Sequence, residues 1–399
     1  MLITCQKKGL DIMNKIKVYN KISDKILSNL DANKYAYSDD MENYDAILVR
    51  SAKLHDVEFP STLKCIARAG AGVNNIPVDK CAEQGIVVFN TPGANSNAVK
   101  ELVMCGLILS SRKVVQGINW AKTLEGKEDC AALAEKGKGN FGGHEIVGKT
   151  LGIVGLGAIG IKVANAAEDM GMDVIGYDPF LSVDGAVSLS RKVKYVKELD
   201  DLFAQCDYIS LHVPANAKTK GMINANSIAN MKDGVRILNF ARGELVNNAD
   251  MAEALKSGKV AAFVSDFVNN ELFGVENAIL LPHLGASTEE SEVNCATMAV
   301  REVKDFLETG KIKNSVNFPD MNVSYEGGHR ILMLHKNLPN TLSAILDITN
   351  SNVAKLGNRS KGEFACTIID IDDKPNADQL AKLAAMEGMI SVREIEIAE

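Results

Sequence analysis

One stretch constrains this chain more than any other: Leu151-Gly152-Ile153-Val154-Gly155-Leu156-Gly157-Ala158-Ile159-Gly160. A short apolar run leads into glycines spaced G-x-G-x-x-G, and a helical pattern follows the last of them. Gly155 permits a tight turn, Gly157 lets the backbone approach a pyrophosphate, and Gly160 allows close helix–strand packing. The helix that opens at Ala158 and Ile159 presents unpaired N–H groups and the positive end of its dipole. Such a loop alone is weak, since a glycine turn often holds no ligand. Asp178 supplies the context. It ends the next expected strand, 18 positions past Gly160, where a carboxylate accepts the adenine ribose hydroxyls and repels a 2′-phosphate. Together they point to NAD rather than NADP, against the plainer reading of Asp178 as a turn residue before Pro179.

At 399 residues the chain is too long for one ordinary core, so two or three domains are expected. Strands are predicted at 16–19, 46–50, 65–69 and 86–90, then a helix at 98–111 and a polar, glycine-bearing region. The glycine loop opens a second α/β unit with strands at 150–154, 173–177, 208–211, 235–239, 261–266 and 278–281. Ser287-Thr288-Glu289-Glu290 reads as a capping box with Ser287 as N-cap, opening a helix that runs to about Leu307. After the polar linker 311–328 the pattern becomes strand 330–336, helix 341–349, strands 352–358 and 363–370, helix 377–386 and strand 392–397. That order is the ferredoxin-like βαββαβ unit.

The net charge of −7 carries no basic stripe, which argues against nucleic acid as a partner. The longest apolar run, near 102–109, is far short of a membrane span, and the N-terminus has no stretch that suits a signal peptide. The eight cysteines are scattered, with no CxxC pair and no histidine at ligand spacing. Buried thiols in a reducing cytoplasm, and no metal, are the expectation.

Oxidising a 2-hydroxy acid requires a cation for the carboxylate, a base for the hydroxyl proton and a carboxylate to orient that base. All three follow predicted strands, at the carboxyl ends where α/β sheets place ligands. Arg242 stands in Asn239-Phe240-Ala241-Arg242-Gly243 and offers a planar fork of donors. His283 stands in Leu281-Pro282-His283-Leu284-Gly285 and can take the proton and return it. Glu271, between them, can pair with His283 and stabilise its imidazolium. Each has an ordinary explanation: a surface arginine, a solvated loop charge, a helix-entry histidine. Their joint appearance behind a dinucleotide loop is harder to dismiss.

These residues are the signature set of the D-isomer-specific 2-hydroxyacid dehydrogenases, which the chain resembles from about residue 40 to 310. The matching segments include Asn90-Thr91-Pro92-Gly93-Ala94-Asn95-Ser96, the glycine loop, Leu211-His212-Val213-Pro214, residues 239–243 and residues 282–288. The resemblance implies catalytic roles for Arg242, Glu271 and His283, and a place for Asp266 near the nicotinamide amide. It implies that His212, Val213 and Pro214 line the adenine pocket, with Ala241 and Gly285 also against the cofactor. It further implies three domains. A discontinuous, flavodoxin-like α/β substrate domain comprises 1–97 and 290–320, a Rossmann-type NAD domain 98–289, and a regulatory domain 328–399. The helices near 98–111 and 287–307 would act as the hinge of a closing cleft.

Arg50-Ser51-Ala52-Lys53 resembles the phosphate-binding loop of family members that act on D-3-phosphoglycerate. Gly70-Ala71-Gly72-Val73 resembles their carboxylate-binding glycine turn, so Arg50, Ser51, Lys53, Ala71, Gly72 and Asn95 are substrate candidates. Lys122, in Trp120-Ala121-Lys122, resembles a residue lent to a neighbouring subunit. Lys53 and Lys122 read equally well as solvated lysines. The tail resembles an ACT domain, with His335, Asn337 and Asn352 at its L-serine-contacting positions, although Pro339-Asn340 replaces the usual Pro-Gly turn.

The expected function is NAD-dependent oxidation of D-3-phosphoglycerate to 3-phosphohydroxypyruvate, feedback-inhibited by L-serine, in a cytoplasmic homodimer or homotetramer. The rivals are a hydroxypyruvate or glyoxylate reductase of the same family and a non-catalytic NAD-sensing binding protein. Lys100 and residues 1–12 receive no role.

Overall fold

The computed structural model describes residues 13–397 except 21, 23 and 29, so residues 1–12 lie outside it. The chain divides into two units: one runs to Ala94 and resumes at Glu292, and the other is Asn95–Ser291.

The first unit opens with β1 (Asn14–Tyr19), β2 (Tyr35–Ser38), β3 (Ala46–Val49), β4 (Cys65–Arg68) and β5 (Val87–Phe89). They form one parallel sheet in the order β2-β1-β3-β4-β5, the flavodoxin-like arrangement. All four residues of β3 are buried, as a parallel strand covered on both faces requires. Strand β2 has no counterpart among the expected strands. It lies at the sheet edge and buries only Tyr35, so it shows little alternation to detect.

The Rossmann-type unit contains β6 (Thr150–Val154), β7 (Asp173–Tyr177), β8 (Lys194–Tyr195), β9 (Tyr208–Leu211), β10 (Val235–Asn239), β11 (Val260–Ser265) and β12 (Ala278–Leu280). The sheet order is β12-β11-β10-β9-β6-β7-β8, all parallel. Counted from the glycine-loop strand this is the doubly wound order in which the chain reverses direction beside β6, the position that binds dinucleotides. The seventh strand, absent from the sequence reading, is the exposed two-residue β8 at the edge. Val99, Val103 and Leu107 of the helix Ser96–Ser111 join Val163, Ala164 and Ala167 of the helix Ala158–Asp169 on one face. Leu202, Phe203, Met251 and Leu255 cover the other. Each buried Val, Leu, Phe or Met side chain among these contributes about 1.5–3 kcal/mol relative to exposure.

Two expectations need correction. The polar region after residue 111 holds two helices, Val114–Lys122 and Cys130–Gly137, neither of which buries a residue in this chain. Val114, Val115 and Ile118 of the first make a short apolar stripe at helical spacing, but in this chain it stays exposed. The helix Glu289–Thr309 is capped by Thr288, whose Oγ1 accepts the Ser291 N–H at 3.1 Å. Ser287 is one position too early for that bond.

The tail belongs to the first unit and is ferredoxin-like. Strands β13 (His329–Lys336), β14 (Val353–Lys361), β15 (Phe364–Ile371) and β16 (Met389–Ile395) pair antiparallel in the order β14-β15-β13-β16. Alternate residues of β13 serve two cores, as the period of two dictates. Leu332 and Leu334 pack with Cys366, Ile368, Leu48 and Phe306, while Ile331 and Met333 pack with Ile345 and Leu383 of the tail helices.

Candidate active site

The glycine loop has the geometry its sequence demands. Gly155 has φ +98°, and a Cβ there would lie 2.7 Å from the His212 carbonyl oxygen. A Cβ on Gly160 would run into the Gly155 carbonyl oxygen, so the helix can start this close only without one. Gly157 faces open space, with nothing within 4 Å of its Cβ position. Among the described residues no acceptor meets the N–H groups of Gly157, Ala158 and Ile159, which therefore suit a pyrophosphate. Asp178 ties this loop to β7. Its Oδ2 accepts the Leu156 N–H and its Oδ1 the Phe180 N–H, each at 2.8 Å. Each oxygen keeps a lone pair for a ribose hydroxyl.

His212 follows β9, with Nε2 2.9 Å from Ser210 Oγ. Burial lowers its pKa to about 3, so the ring is neutral at physiological pH. A neutral, sequestered imidazole suits a pocket wall. Val213 packs against Gly155, and the Pro214 carbonyl accepts the Thr219 hydroxyl at 2.6 Å.

The candidate catalytic residues sit on loops after β10, β11 and β12. Buried Asn239 shapes the first loop, accepting the Ala241 N–H at 3.2 Å and donating to the Arg242 carbonyl at 2.8 Å. The Arg242 side chain is exposed and gives one N–H to the Ala241 carbonyl at 2.7 Å. Asp266, 1% exposed, shapes the third loop. Its Oδ1 accepts the Leu284 N–H and its Oδ2 the Gly285 N–H, both at 2.7 Å. These bonds hold His283 at φ +57°, a backbone state that few non-glycine residues adopt. Burial pushes the Asp266 carboxyl above its usual range, against the two backbone donors and the nearby His283. The Phe267 ring stands 5.0 Å from the exposed His283 ring, and the Phe267 side chain also covers Gly243. Phe267 therefore touches both the histidine loop and the arginine loop. Glu271 is exposed and, among the described residues, makes no ion pair with His283; its N–H is donated to Asn269 Oδ1 at 2.8 Å. The expected carboxylate–imidazole contact is not formed in this structure.

The first unit carries the proposed substrate loops. Arg50 follows β3 and pairs with Glu292 at 2.6 Å on the surface. Asn20 Oδ1 accepts the N–H groups of Ser51 and Ala52 at 3.0 and 2.7 Å, while Lys53 is exposed. In the glycine turn, Thr91 Oγ1 accepts the Gly70 N–H at 2.8 Å and Asn90 Nδ2 donates to the Ala71 carbonyl at 2.6 Å. Arg68, at the end of β4, donates to the Gly72 carbonyl and, at 3.0 Å, to the Arg50 carbonyl. The N–H groups of Ala71 and Gly72 meet no acceptor among the described residues, so both are free to donate to an anion. Sequence reasoning gave no role to Asn20, Arg68 and Thr91, the residues that set these loops. Asn20 directly follows β1 and Arg68 ends β4, while Thr91 stands in the segment 90–96 that carries the family resemblance. Asn95 is the N-cap of Ser96–Ser111 without a side-chain cap bond, and Lys122 is exposed in the last turn of its helix. Lys100 Nζ lies 3.8 Å from Glu101.

The tail brings together only part of its predicted set. His335, 2% exposed, is bonded at both nitrogens, Nδ1 to the Lys336 carbonyl at 2.8 Å and Nε2 to Thr367 Oγ1 at 2.9 Å. Burial lowers its pKa. Thr367 also accepts from Asn358 Nδ2 at 2.7 Å. Asn337 is exposed beside this network. Asn352 stands just before β14, whose first residue, Val353, pairs at the level of Ile371 and His329. That is about 20 Å along the sheet from His335 at ~3.3 Å per residue.

Residues 106–285 match the family described as D-isomer specific 2-hydroxyacid dehydrogenase, NAD binding domain. The chain is 40% identical over 278 residues to hydroxypyruvate reductase of Thermotoga maritima, covering 67% of this chain and 85% of that protein. It is 35% identical over 361 residues to D-3-phosphoglycerate dehydrogenase of Methanocaldococcus jannaschii, covering 88% and 64%. It spans between half and two thirds of the length of several D-3-phosphoglycerate dehydrogenases it matches. Among solved structures it resembles the NAD+-bound 3-phosphoglycerate dehydrogenase of Entamoeba histolytica, with a TM-score of 0.58 and 27% identity over 76% of this chain and 99% of that one.

Proposed function

The chain belongs to the D-isomer specific 2-hydroxyacid dehydrogenases, and from that premise we propose that it oxidises D-3-phosphoglycerate to 3-phosphohydroxypyruvate with NAD at the entry to serine synthesis. The observation that carries the enzymatic reading is the Asp266 clamp, which presents His283 from a strained turn while leaving the ring exposed. Strain of this kind costs of order 1–3 kcal/mol and persists where the surroundings over-determine it, commonly at active sites.

In this mechanism His283 Nε2 or Nδ1 takes the C2 hydroxyl proton, and Arg242 grips the substrate carboxylate through its remaining N–H donors. In the first unit, the free N–H groups of Ala71 and Gly72 are the candidates for a carboxylate, and Arg50, Ser51 and Lys53 for the phosphate. Glu271 turns toward His283 to stabilise the imidazolium. NAD held by the glycine loop and Asp178 would supply the hydride acceptor for C2. Neutral His212 takes no part in proton transfer.

Arg50 after β3 and the ferredoxin-like tail support phosphoglycerate as substrate. The second reading, a hydroxypyruvate reductase, is favoured by the 40% identity to the Thermotoga maritima enzyme. We place the activity in the cytoplasm, where the seven described cysteines, all free thiols, stay reduced. A homodimer or homotetramer would cover the exposed Val114, Val115 and Ile118 of the helix Val114–Lys122. L-serine is the proposed effector of the tail, with Asn337 its most accessible candidate.

The test is NADH consumption with 3-phosphohydroxypyruvate, hydroxypyruvate and glyoxylate, each with and without L-serine. Preference for the phosphorylated substrate with loss of rate in serine supports the full reading. Preference without serine sensitivity removes the effector. Equal or faster turnover of hydroxypyruvate or glyoxylate moves the chain to the reductases, and no turnover at all overturns the enzymatic reading.

A further inference from the structure

Within the first unit, the segment 314–320 and the end of β14 enclose an open cavity of about 450 Å³, lined in part by Asn90, Asn314, Ser315, Asp320, Arg359 and Lys361. Strand alternation places Gly357, Arg359 and Lys361 on one face of β14. Gly357 meets Met321 and Val323 there, at distances that leave no room for a Cβ, so this face looks onto the 314–323 segment. Lys361 Nζ donates to the Ser315 carbonyl at 2.9 Å, which engages one of its three N–H bonds. Arg359 is held in the β14–β15 ladder opposite Cys366 through its backbone, while its exposed side chain makes no hydrogen bond or ion pair among the described residues. Asp320 is the acidic group of the lining, and its Oδ1 already accepts the Asn314 N–H at 3.0 Å. Two cations with donors to spare against one committed carboxylate make a cavity for an anion.

Its floor is wired to the glycine turn. Asn314 has φ +61° and is held by its Nδ2, which donates to the buried Glu302 Oε1 at 2.8 Å. The Asn314 carbonyl accepts the Asn90 N–H at 3.3 Å, Ser315 bridges to Phe89, and Val316 donates to the Val88 carbonyl at 2.9 Å. Asn90 in turn donates to the Ala71 carbonyl at 2.6 Å, beside Thr91, which holds Gly70.

We infer that this cavity is an effector site for a small phosphate- or carboxylate-bearing anion, gripped by Arg359 and Lys361, and that its occupancy is conveyed through Asn314 and Asn90 to the Gly70-Ala71-Gly72 turn. The binding part stands on the cavity alone. The conveyed effect rests on the proposed role of that turn in holding the substrate carboxylate. Because the linkage acts on a substrate-binding turn, occupancy changes KM rather than kcat, and by reciprocity substrate changes the anion's affinity.

The experiment titrates the full chain with inorganic phosphate by calorimetry in an R50S background, which removes the proposed substrate-side phosphate contact, and compares R50S alone with R50S carrying R359S or R359K. The expected result is about tenfold weaker binding when R359S is added, the loss of one charge-assisted contact, with affinity retained when R359K is added. Arg359 is exposed on an edge strand, so an unchanged melting temperature shows that the fold survives. Equal binding with and without R359S, or no binding by R50S alone, overturns the site. Steady-state kinetics with added phosphate then tests the linkage. A KM shift in wild type that is absent in R359S supports it, and binding without any KM shift overturns it. Should the chain turn over no hydroxy acid, calorimetry still decides the site.

Discussion

Asp266 fixes the turn that carries His283. Its two carboxylate oxygens accept the Leu284 and Gly285 N–H groups at 2.7 Å each, immediately after a histidine at φ +57°. A carboxylate suits this place because it only accepts, and two converging N–H groups need two acceptors.

Asp266→Asn is therefore expected to act on rate more than its size suggests. An amide offers one oxygen and aims an NH2 group at the other N–H, leaving a buried donor unpaired at a cost of about 1–3 kcal/mol. The melting temperature should fall by a few degrees and kcat by roughly tenfold to a hundredfold. Unchanged kcat with the same loss of stability would reduce the clamp to a structural device.

Asp178→Ser should loosen NAD and weaken discrimination against NADP. The variant loses the acceptor for Leu156 and for the ribose hydroxyls, together with the charge that repels a 2′-phosphate. KM for NAD is expected to rise about tenfold, the worth of one charged hydrogen bond, with a smaller change for NADP. Parallel kinetics with the two cofactors measures the ratio.

Arg330 and Asp370 form a bidentate pair at 2.7 Å, 2% and 0% exposed, and Arg330 also donates to the Thr309 carbonyl at 3.0 Å. Arg330→Met strands a buried carboxylate and should cost about 3–5 kcal/mol, whereas the double change Arg330→Met with Asp370→Leu should recover most of it. Denaturant unfolding of the two variants distinguishes a pair needed for stability from one replaceable by apolar packing.

Glu302 predicts a pH dependence. Burial raises its pKa from 4.5 to about 8, and its Oε2 has no partner. Lys313 lowers it, while Asp305 and Asp320 raise it further. Between those values the folded chain binds more protons than the unfolded one, so this group's contribution to stability falls as pH rises from 4.5 to 8. The slope is up to about 1.4 kcal/mol per pH unit. Glu302→Gln should flatten that part of a melting-temperature profile and leave the variant more stable than wild type at pH 8.

The cofactor loop was legible in the sequence because its chemistry is local. Gly155, Gly157 and Gly160 meet constraints set within a few residues, and strand and helix periods on either side need no distant partner. The tail was legible for the same reason: its strands alternate and its first helix, Thr341–Thr349, was read to the residue. The helix Val114–Lys122 was not read: its apolar residues Val114, Val115 and Ile118 span little more than one turn and stay exposed in this chain.

What the sequence by itself determined was which residues could do the chemistry: the glycine loop with Asp178, Arg242 and His283, each set by type and by its place after a strand. Tertiary structure decided how they are held. Only the folded sheet brings Asp266 under the His283 turn, 17 residues away in the chain, or sets Asn20 and Arg68 beneath the Arg50 loop. Only strand register sets Asn352 far along the sheet from His335 and brings Asn358 onto Thr367 beside that histidine. Residue type and local period are written in neighbouring positions. Hydrogen bonds between distant loops depend on sheet order and register, which a single sequence encodes only through the whole fold.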